Sequence, residues 1–288
     1  MHSNSVKEFN IENARAYVLY LRSRSKFSKY ANTQVQQTGL SPQTVRGHIR
    51  GLKALSSWLY REGYTDENRL LNLKIPKAPV ELIQPLTDGE ISQIASSINQ
   101  DSPTGSRNHA IFVTALDNGL RASEIANINL EQLDFEKGFV KVVGKGSKER
   151  IVPIGDYVKM VLWAYINKVR PEPTATGCDN LFLSTTGEPI TANTIKLVFS
   201  RLARNSGVKR LHAHLCRHTF AINYLLNGGD IFSLREILGH TTLEMVNHYL
   251  HFTRSQLTAQ HHKYSPMDKL HKKKTTPKEI NKGNYSIC

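Results

Sequence analysis

The sequence predicts a mainly α-helical protein with a small antiparallel β-sheet, arranged as two domains that divide near residue 80. Three observations predict it. Apolar residues recur at helical spacing through most of the chain. Two short β-rich runs, 139–143 and 149–154, are joined by the glycine-framed turn Gly144–Ser147 and read as a hairpin. The stretch 74–86 holds Pro76, Pro79 and Pro85 among few helix signals and reads as a linker.

Taken in order, residues 9–24 read as a helix whose apolar side includes Phe9, Ala16, Tyr17, Leu19, Tyr20 and Leu21. Residues 25–40 are polar and read as a loop. A second helix runs from Pro42 to Glu62. Ser41 is placed to cap it, Pro42 suits its first position and Gly63 its stop. Its apolar stripe is Val45, Ile49, Leu52 and Leu59. Arg46, Arg50 and Lys53 form a separate basic stripe that can face phosphates. After the linker, Thr87 and Glu90 form a capping box for a helix to about Asn99. A helix over 107–118 stops at Gly119. The hairpin follows, then a helix over 156–169, a short extended piece at 181–183, and helices near 193–206, 214–227, 233–238 and 242–250. The chain shows no internal repeat. Its last twenty or so residues are Lys-rich and low in apolar content.

The charge is uneven. The formal net charge is +14, yet residues 1–80 hold 13 Lys/Arg against 5 Asp/Glu and residues 266–288 hold 6 against 2. The body between them is nearly balanced, 19 against 17. A basic front piece and a basic tail on a neutral body suit a polyanionic partner, above all nucleic acid. No apolar run approaches the ~20 residues a membrane helix needs, and the N-terminus has no signal-peptide core. A cytoplasmic protein without a membrane partner is expected. The three cysteines, Cys178, Cys216 and Cys288, are far apart and form neither a disulfide framework nor a zinc motif.

Five segments carry chemistry. Arg121 and Glu124 stand in R-A-S-E just past a predicted helix end. Lys145, Lys148 and Arg150 lie in G-K-G-S-K-E-R, across the hairpin turn. His214 and Arg217 stand in H-L-C-R-H, at a helix start. His240 ends Leu238-Gly239-His240, and Tyr249 follows nine residues later. Taken singly, each has an ordinary reading as a surface cation or a packed aromatic. Tyr157, Tyr165 and Tyr224 read as packed aromatics and Cys216 as an inward-facing thiol. His214 and His218 sit four apart, but without the Glu of an HExxH pattern no metal site is expected. Together the residues fit metal-free phosphodiester chemistry. That chemistry needs a side-chain nucleophile, cations around the non-bridging oxygens and an acid for the leaving oxygen. Arginine suits the cations because its planar fork matches phosphate and does not titrate.

With these motifs in this order, the chain resembles the tyrosine recombinases, the family of phage and transposon integrases and Xer resolvases. The resemblance runs through most of residues 9–255. It implies a two-domain clamp on DNA: a helical core-binding domain at 1–80, a mixed α/β catalytic domain at 81–265 and a basic tail at 266–288. It implies that Arg121 and Arg217 hold the scissile phosphate, Tyr249 attacks it, and Lys145 protonates the leaving oxygen, with Lys148 a competitor. It implies that His214 assists proton transfer, His240 bonds the phosphate, and Glu124 supports the site by holding an arginine or histidine. Arg46, Arg50, Lys53, Lys148, Arg150, Lys196 and Arg201 are the expected DNA contacts. The implied reaction passes through a 3′-phosphotyrosine and a Holliday junction, with no cofactor, metal or ATP. Double-stranded DNA is the implied partner, bound by a homotetramer on two sites. A partner recombinase or an accessory DNA-bending protein are further candidates. A type IB-like topoisomerase and a non-catalytic DNA-binding protein on the same fold are the alternatives left open.

Overall fold

A computed structural model describes residues 9–24, 39–76, 83–144, 148–239, 261 and 265–267. The expected helix over 242–250, most of the 25–40 loop and all but the first two residues of the tail lie outside the described residues. The chain divides into two compact units, Met1–Glu81 and Leu82–Cys288.

The first unit holds α1 (Ile11–Ser23) and α2 (Pro42–Arg61). Asn10 caps α1 by accepting from the Asn13 N–H, and Ser41 caps α2 by accepting from Thr44, with Pro42 in the first turn. The two helices bury Ala14, Leu21, Val45 and Ile49 together with Leu70 and Leu73 from the following turns. Each large side chain so buried contributes roughly 1.5–3 kcal/mol. The turns are fastened by polar groups. Buried Ser56 donates to Asn68 (2.8 Å) and accepts from the Leu70 N–H (3.0 Å). The Lys53 ammonium donates to the carbonyls of Leu71 (2.7 Å) and Leu73 (2.9 Å). Lys53, expected as a DNA contact, thus fastens these turns. Arg50 is exposed, and Arg46, half-exposed, lies within 3.4 Å of Gln43 Oε1.

The second unit is built around α4 (Pro103–Asn118), whose side chains are buried nearly all round, including Ile111, Phe112 and Ala115. Such a helix belongs in the centre of a core. It begins four residues earlier than expected because Ser102 caps it and Pro103 opens it. Around it stand α3 (Asp88–Ser96), α5 (Ala122–Ala126), α6 (Asp156–Lys168), α7 (Ala192–Ser206), α8 (Ala213–Leu226) and α9 (Ile231–Leu238). The expected capping box is present at α3: Thr87 and Glu90 bond each other's backbone N–H. The sheet has three antiparallel strands in the order β1 (Leu133–Asp134), β2 (Phe139–Val143), β3 (Glu149–Pro153). Val140 faces Val152 and Val142 faces Arg150 across β2 and β3. Strand β1 and helix α5 were not expected, since two and five residues are too short to show a period. The mainly helical fold with a small antiparallel sheet is the one the sequence predicts.

The residues leading into this unit are pinned to α8. The Leu86 N–H donates to Thr219 Oγ1 (2.9 Å), and Arg210 holds the carbonyls of Gln84 (2.6 Å) and Pro85 (2.8 Å) while paired with Glu90 (2.5 Å). No helix among the described residues is long and apolar enough to cross a membrane.

Candidate active site

Three arginines of the second unit, from the start of α5, from α8 and from β3, converge on one carboxylate. Helix α4 ends at Gly119, whose left-handed backbone (φ +60°) reverses the chain. Leu120 is buried, and Arg121 then stands at the N-cap of α5. The Glu124 carboxylate folds back onto that N-terminus. Its Oε2 accepts the Arg121 backbone N–H (2.8 Å) and its Oε1 accepts Arg121 Nη1 (2.7 Å). An acidic side chain in the first helical turn also meets the positive end of the helix dipole.

Arg217 reaches the same place from α8. It is 1% exposed, with Nη1 donating to the Gly119 carbonyl and Nη2 to the Leu238 carbonyl, both at 2.7 Å. It therefore caps the C-terminal ends of α4 and α9, where carbonyl dipoles favour a cation. Glu124 Oε2 lies 3.9 Å from its Nη1. A buried guanidinium is costly to desolvate unless its N–H groups and charge are both met, and here both are.

Arg150 arrives from β3. Its fork donates to both oxygens of Glu124, Nη1 to Oε1 (3.0 Å) and Nη2 to Oε2 (2.9 Å), and its Nε donates to the Ile237 carbonyl (2.7 Å). Its side chain is 11% exposed. The reading of Arg150 as a DNA contact is thus corrected: its donors are turned inward. The signal was in the hairpin register, which pairs Arg150 with buried Val142 and leaves Ile151 outside at 57% exposure.

The four groups form one electrostatic unit. Burial alone would raise the Glu124 pKa. The hydrogen bond and charge of Arg150, with the backbone and side chain of Arg121, outweigh it and hold the carboxyl at about 2, far below its usual 4.5. Three guanidinium groups around one carboxylate leave a net charge of about +2 in a mostly buried setting, suited to a phosphate whose charge grows during reaction. Arg121 is the cation that reaches outward, with 35% of its side chain exposed.

His214 lies one turn before Arg217. Partial burial first, then the charges of Arg217, His212 and Arg121, push its pKa below 6.5, so the imidazole is neutral near pH 7. Its ring meets His218 edge to face at 4.4 Å. Cys216 between them is fully buried, and burial pushes its thiol up to about 12. Lys148 is exposed at the foot of the hairpin turn, and Lys196 and Arg201 are exposed on α7. Tyr165 is buried and Tyr224 packs on Phe220, while Tyr157, 57% exposed, meets His109 edge to face at 6.3 Å. Lys145, His240 and Tyr249 lie outside the described residues. A concavity of about 870 Å³ opens elsewhere, lined by Phe112, Tyr157 and Tyr224 among others. It is mostly apolar and does not include the arginine cluster, so the cluster is the candidate for phosphate chemistry.

The model of the phage integrase family matches residues 84–256, a span that includes Lys145, His240 and Tyr249. The chain is 30% identical over 239 residues to tyrosine recombinase XerC of Bacillus pumilus (strain SAFR-032), covering 81% of this chain and 78% of that one. It is 29% identical over 234 residues to tyrosine recombinase XerD of Listeria monocytogenes serovar 1/2a, covering 80% and 79%. Among solved structures it shares its fold with the Tn1549 transposon integrase in complex with a circular intermediate DNA. There the TM-score is 0.70, with 22% identity over 91% of this chain and 88% of that one. The XerH recombinase bound to palindromic difH substrate gives a TM-score of 0.69, with 20% identity over 91% and 74%. With the family model spanning more than half of its length, the chain belongs to the phage integrase family, the tyrosine recombinases, enzymes that cleave and rejoin DNA.

Proposed function

We propose that this recombinase exchanges DNA strands through a covalent 3′-phosphotyrosine at Tyr249. The observation that carries the reading is the convergence of Arg121 and Arg217 on Glu124, on the segments that the motifs single out. In the step proposed, the Tyr249 oxygen attacks the scissile phosphorus and the bond to the 5′ oxygen breaks. Lys145 gives its proton to that oxygen, and the tyrosine proton passes to neutral His214. Arg121, Arg217 and His240 hold the non-bridging oxygens. Rejoining reverses the step with a 5′-hydroxyl from the exchanging strand, so the phosphodiester energy is conserved and ATP is not needed.

The Met1–Glu81 unit is the proposed core-binding domain, and its exposed Arg50 and half-exposed Arg46 are proposed phosphate contacts, with Lys148, Lys196 and Arg201 from the second unit. The Tn1549 integrase was solved in complex with a circular intermediate DNA and XerH bound to palindromic difH substrate, which supports double-stranded DNA as the ligand. Four protomers on two sites, passing through a Holliday junction in the cytoplasm, complete the reading.

The test is a nicked duplex of the target site incubated in EDTA, followed by denaturing electrophoresis. Wild type should give an SDS-resistant protein–DNA adduct and Tyr249→Phe none. Equal adducts from both proteins would overturn the nucleophile, and loss of the wild-type adduct in EDTA would overturn the metal-free step. Exchange between two sites on one plasmid, beyond simple relaxation, separates recombination from topoisomerase action.

A further inference from the structure

We propose that Arg150 is a positioning residue for the cleavage reaction, an internal counter-ion that lets Glu124 orient Arg121 without neutralising the site. The proposal rests on the phosphotyrosine reading above and adds a residue to it.

The geometry gives Arg150 two tasks. The first is electrostatic. Glu124 Oε1 is shared between Arg121 Nη1 (2.7 Å) and Arg150 Nη1 (3.0 Å), and Oε2 between the Arg121 N–H (2.8 Å) and Arg150 Nη2 (2.9 Å). Arg150 thus occupies both carboxylate oxygens from the inside, while Arg121 holds them from the outer side. Take Arg150 away and one buried carboxylate remains between Arg121 and Arg217. The cluster's net charge then drops from about +2 to about +1. Glu124 also draws harder on Arg121, the arginine best placed to meet a phosphate. A phosphodiester is a monoanion whose charge approaches two in a pentacoordinate transition state, so the lost unit matters more there than in the ground state.

The second task is mechanical. Arg150 Nε holds the Ile237 carbonyl (2.7 Å), and the next carbonyl, Leu238, holds Arg217 Nη2 (2.7 Å). The two arginines thereby fix the last turn of α9 from two sides. The path for Arg150 is kept open by two glycines. A Cβ on Gly144 would stand 3.3 Å from Nη1, and one on Gly239 would stand 3.0 Å from Cδ. Those glycines belong to G-K-G and L-G-H, the motifs that carry Lys145 and His240. Arg150 therefore touches the chain next to both, and its planar fork is needed for all of these bonds at once.

Single-turnover adduct formation on saturating nicked duplex, beside DNA affinity across a salt series, tests the role. Arg150→Met should slow adduct formation about 100-fold while leaving affinity and its salt slope as in wild type. Arg150→Lys, which restores the charge but not the fork, should recover part of the rate. A rate for Arg150→Met within twofold of wild type would overturn the proposal. So would a loss confined to affinity with the salt slope reduced by about one, the signature of a phosphate contact. Should Arg150→Met fail to fold, Arg150→Lys carries the test: a slower rate at unchanged affinity supports it and a wild-type rate overturns it. A wild-type protein that forms no adduct would overturn the reaction itself, a result distinct from every outcome for Arg150.

Discussion

Replacing Glu124 with glutamine should destabilise the second unit by about 3 kcal/mol at pH 7, and the loss should shrink in acid. Glutamine keeps the shape but sets an NH₂ where a carboxylate oxygen now accepts two donors. The magnitude follows from the proton linkage. The folded pKa is about 2 against the usual 4.5, and a difference of that size corresponds to ~3 kcal/mol. Removing one partner from a buried ion pair generally costs about 3–5 kcal/mol, in agreement. The sign is that of a depressed carboxyl. The stabilisation is complete above 4.5 and is lost as pH falls through about 2. The linked part should therefore fall to roughly half by pH 3. Each unit holds one tryptophan, Trp58 in the first and Trp163 in the second. In a Trp58→Phe background, urea unfolding followed by Trp163 fluorescence reads the second unit alone. Equal stability of Glu124→Gln and its parent at pH 7 would refute the reasoning. So would a difference that stays constant from pH 7 to pH 3, because the carboxylate would then not be the group at work.

Three further outcomes are expected. Thr219→Val keeps the side-chain shape but leaves the buried Leu86 N–H without its 2.9 Å acceptor, a cost of about 1–3 kcal/mol by the same Trp163 measurement; no change would mean that the linker end is not fastened there. Arg50→Gln should lower the salt slope of DNA binding by about one, whereas Lys53→Met should leave the slope unchanged and destabilise the first unit by about 1–2 kcal/mol, since its ammonium serves two carbonyls; exchanged effects would reverse the two assignments. Iodoacetamide at pH 8 should leave Cys216 unmodified until denaturant is added, because burial pushes its thiol up to about 12; rapid labelling of the native protein at that cysteine, seen by peptide mapping, would contradict the packing of α8.

The helices were readable because their ends carry side-chain chemistry of their own. Ser41 with Pro42, Thr87 with Glu90 and Gly119 mark boundaries that the structure places within a residue or so. The start of α4 was missed although Ser102 and Pro103 carry the same signal, because the apolar period begins only farther along the helix. Strand β1 has only Leu133 and Asp134, too few to show an alternation of their own, and its existence depends on pairing with Val140 and Phe139. Lys53 shows the same limit: its place on α2 was clear, but its partners come from turns 18 and 20 residues later.

The arginines show why a site is harder to read than a fold. In sequence Arg121, Arg150 and Arg217 are alike, three cations in motifs rich in glycine and charge. Their surroundings separate them. Arg217 is sealed against the ends of two helices at 1% exposure, and Arg150 is turned into the sheet at 11%. Only Arg121 keeps a third of its side chain outside, at 35%. Charge alone would have ranked them equal and sent all three to DNA. The hairpin register contains the correction for Arg150. If Lys141 faces out, Val140 and Val142 face in, and the residue opposite Val142 must point inward whatever its charge. An inward arginine in a small domain needs a buried anion, and Glu124 is the buried carboxylate that its fork reaches with both nitrogens. Alternation in a strand, a rule usually applied to apolar residues, thus picks out which cation of a basic hairpin is structural.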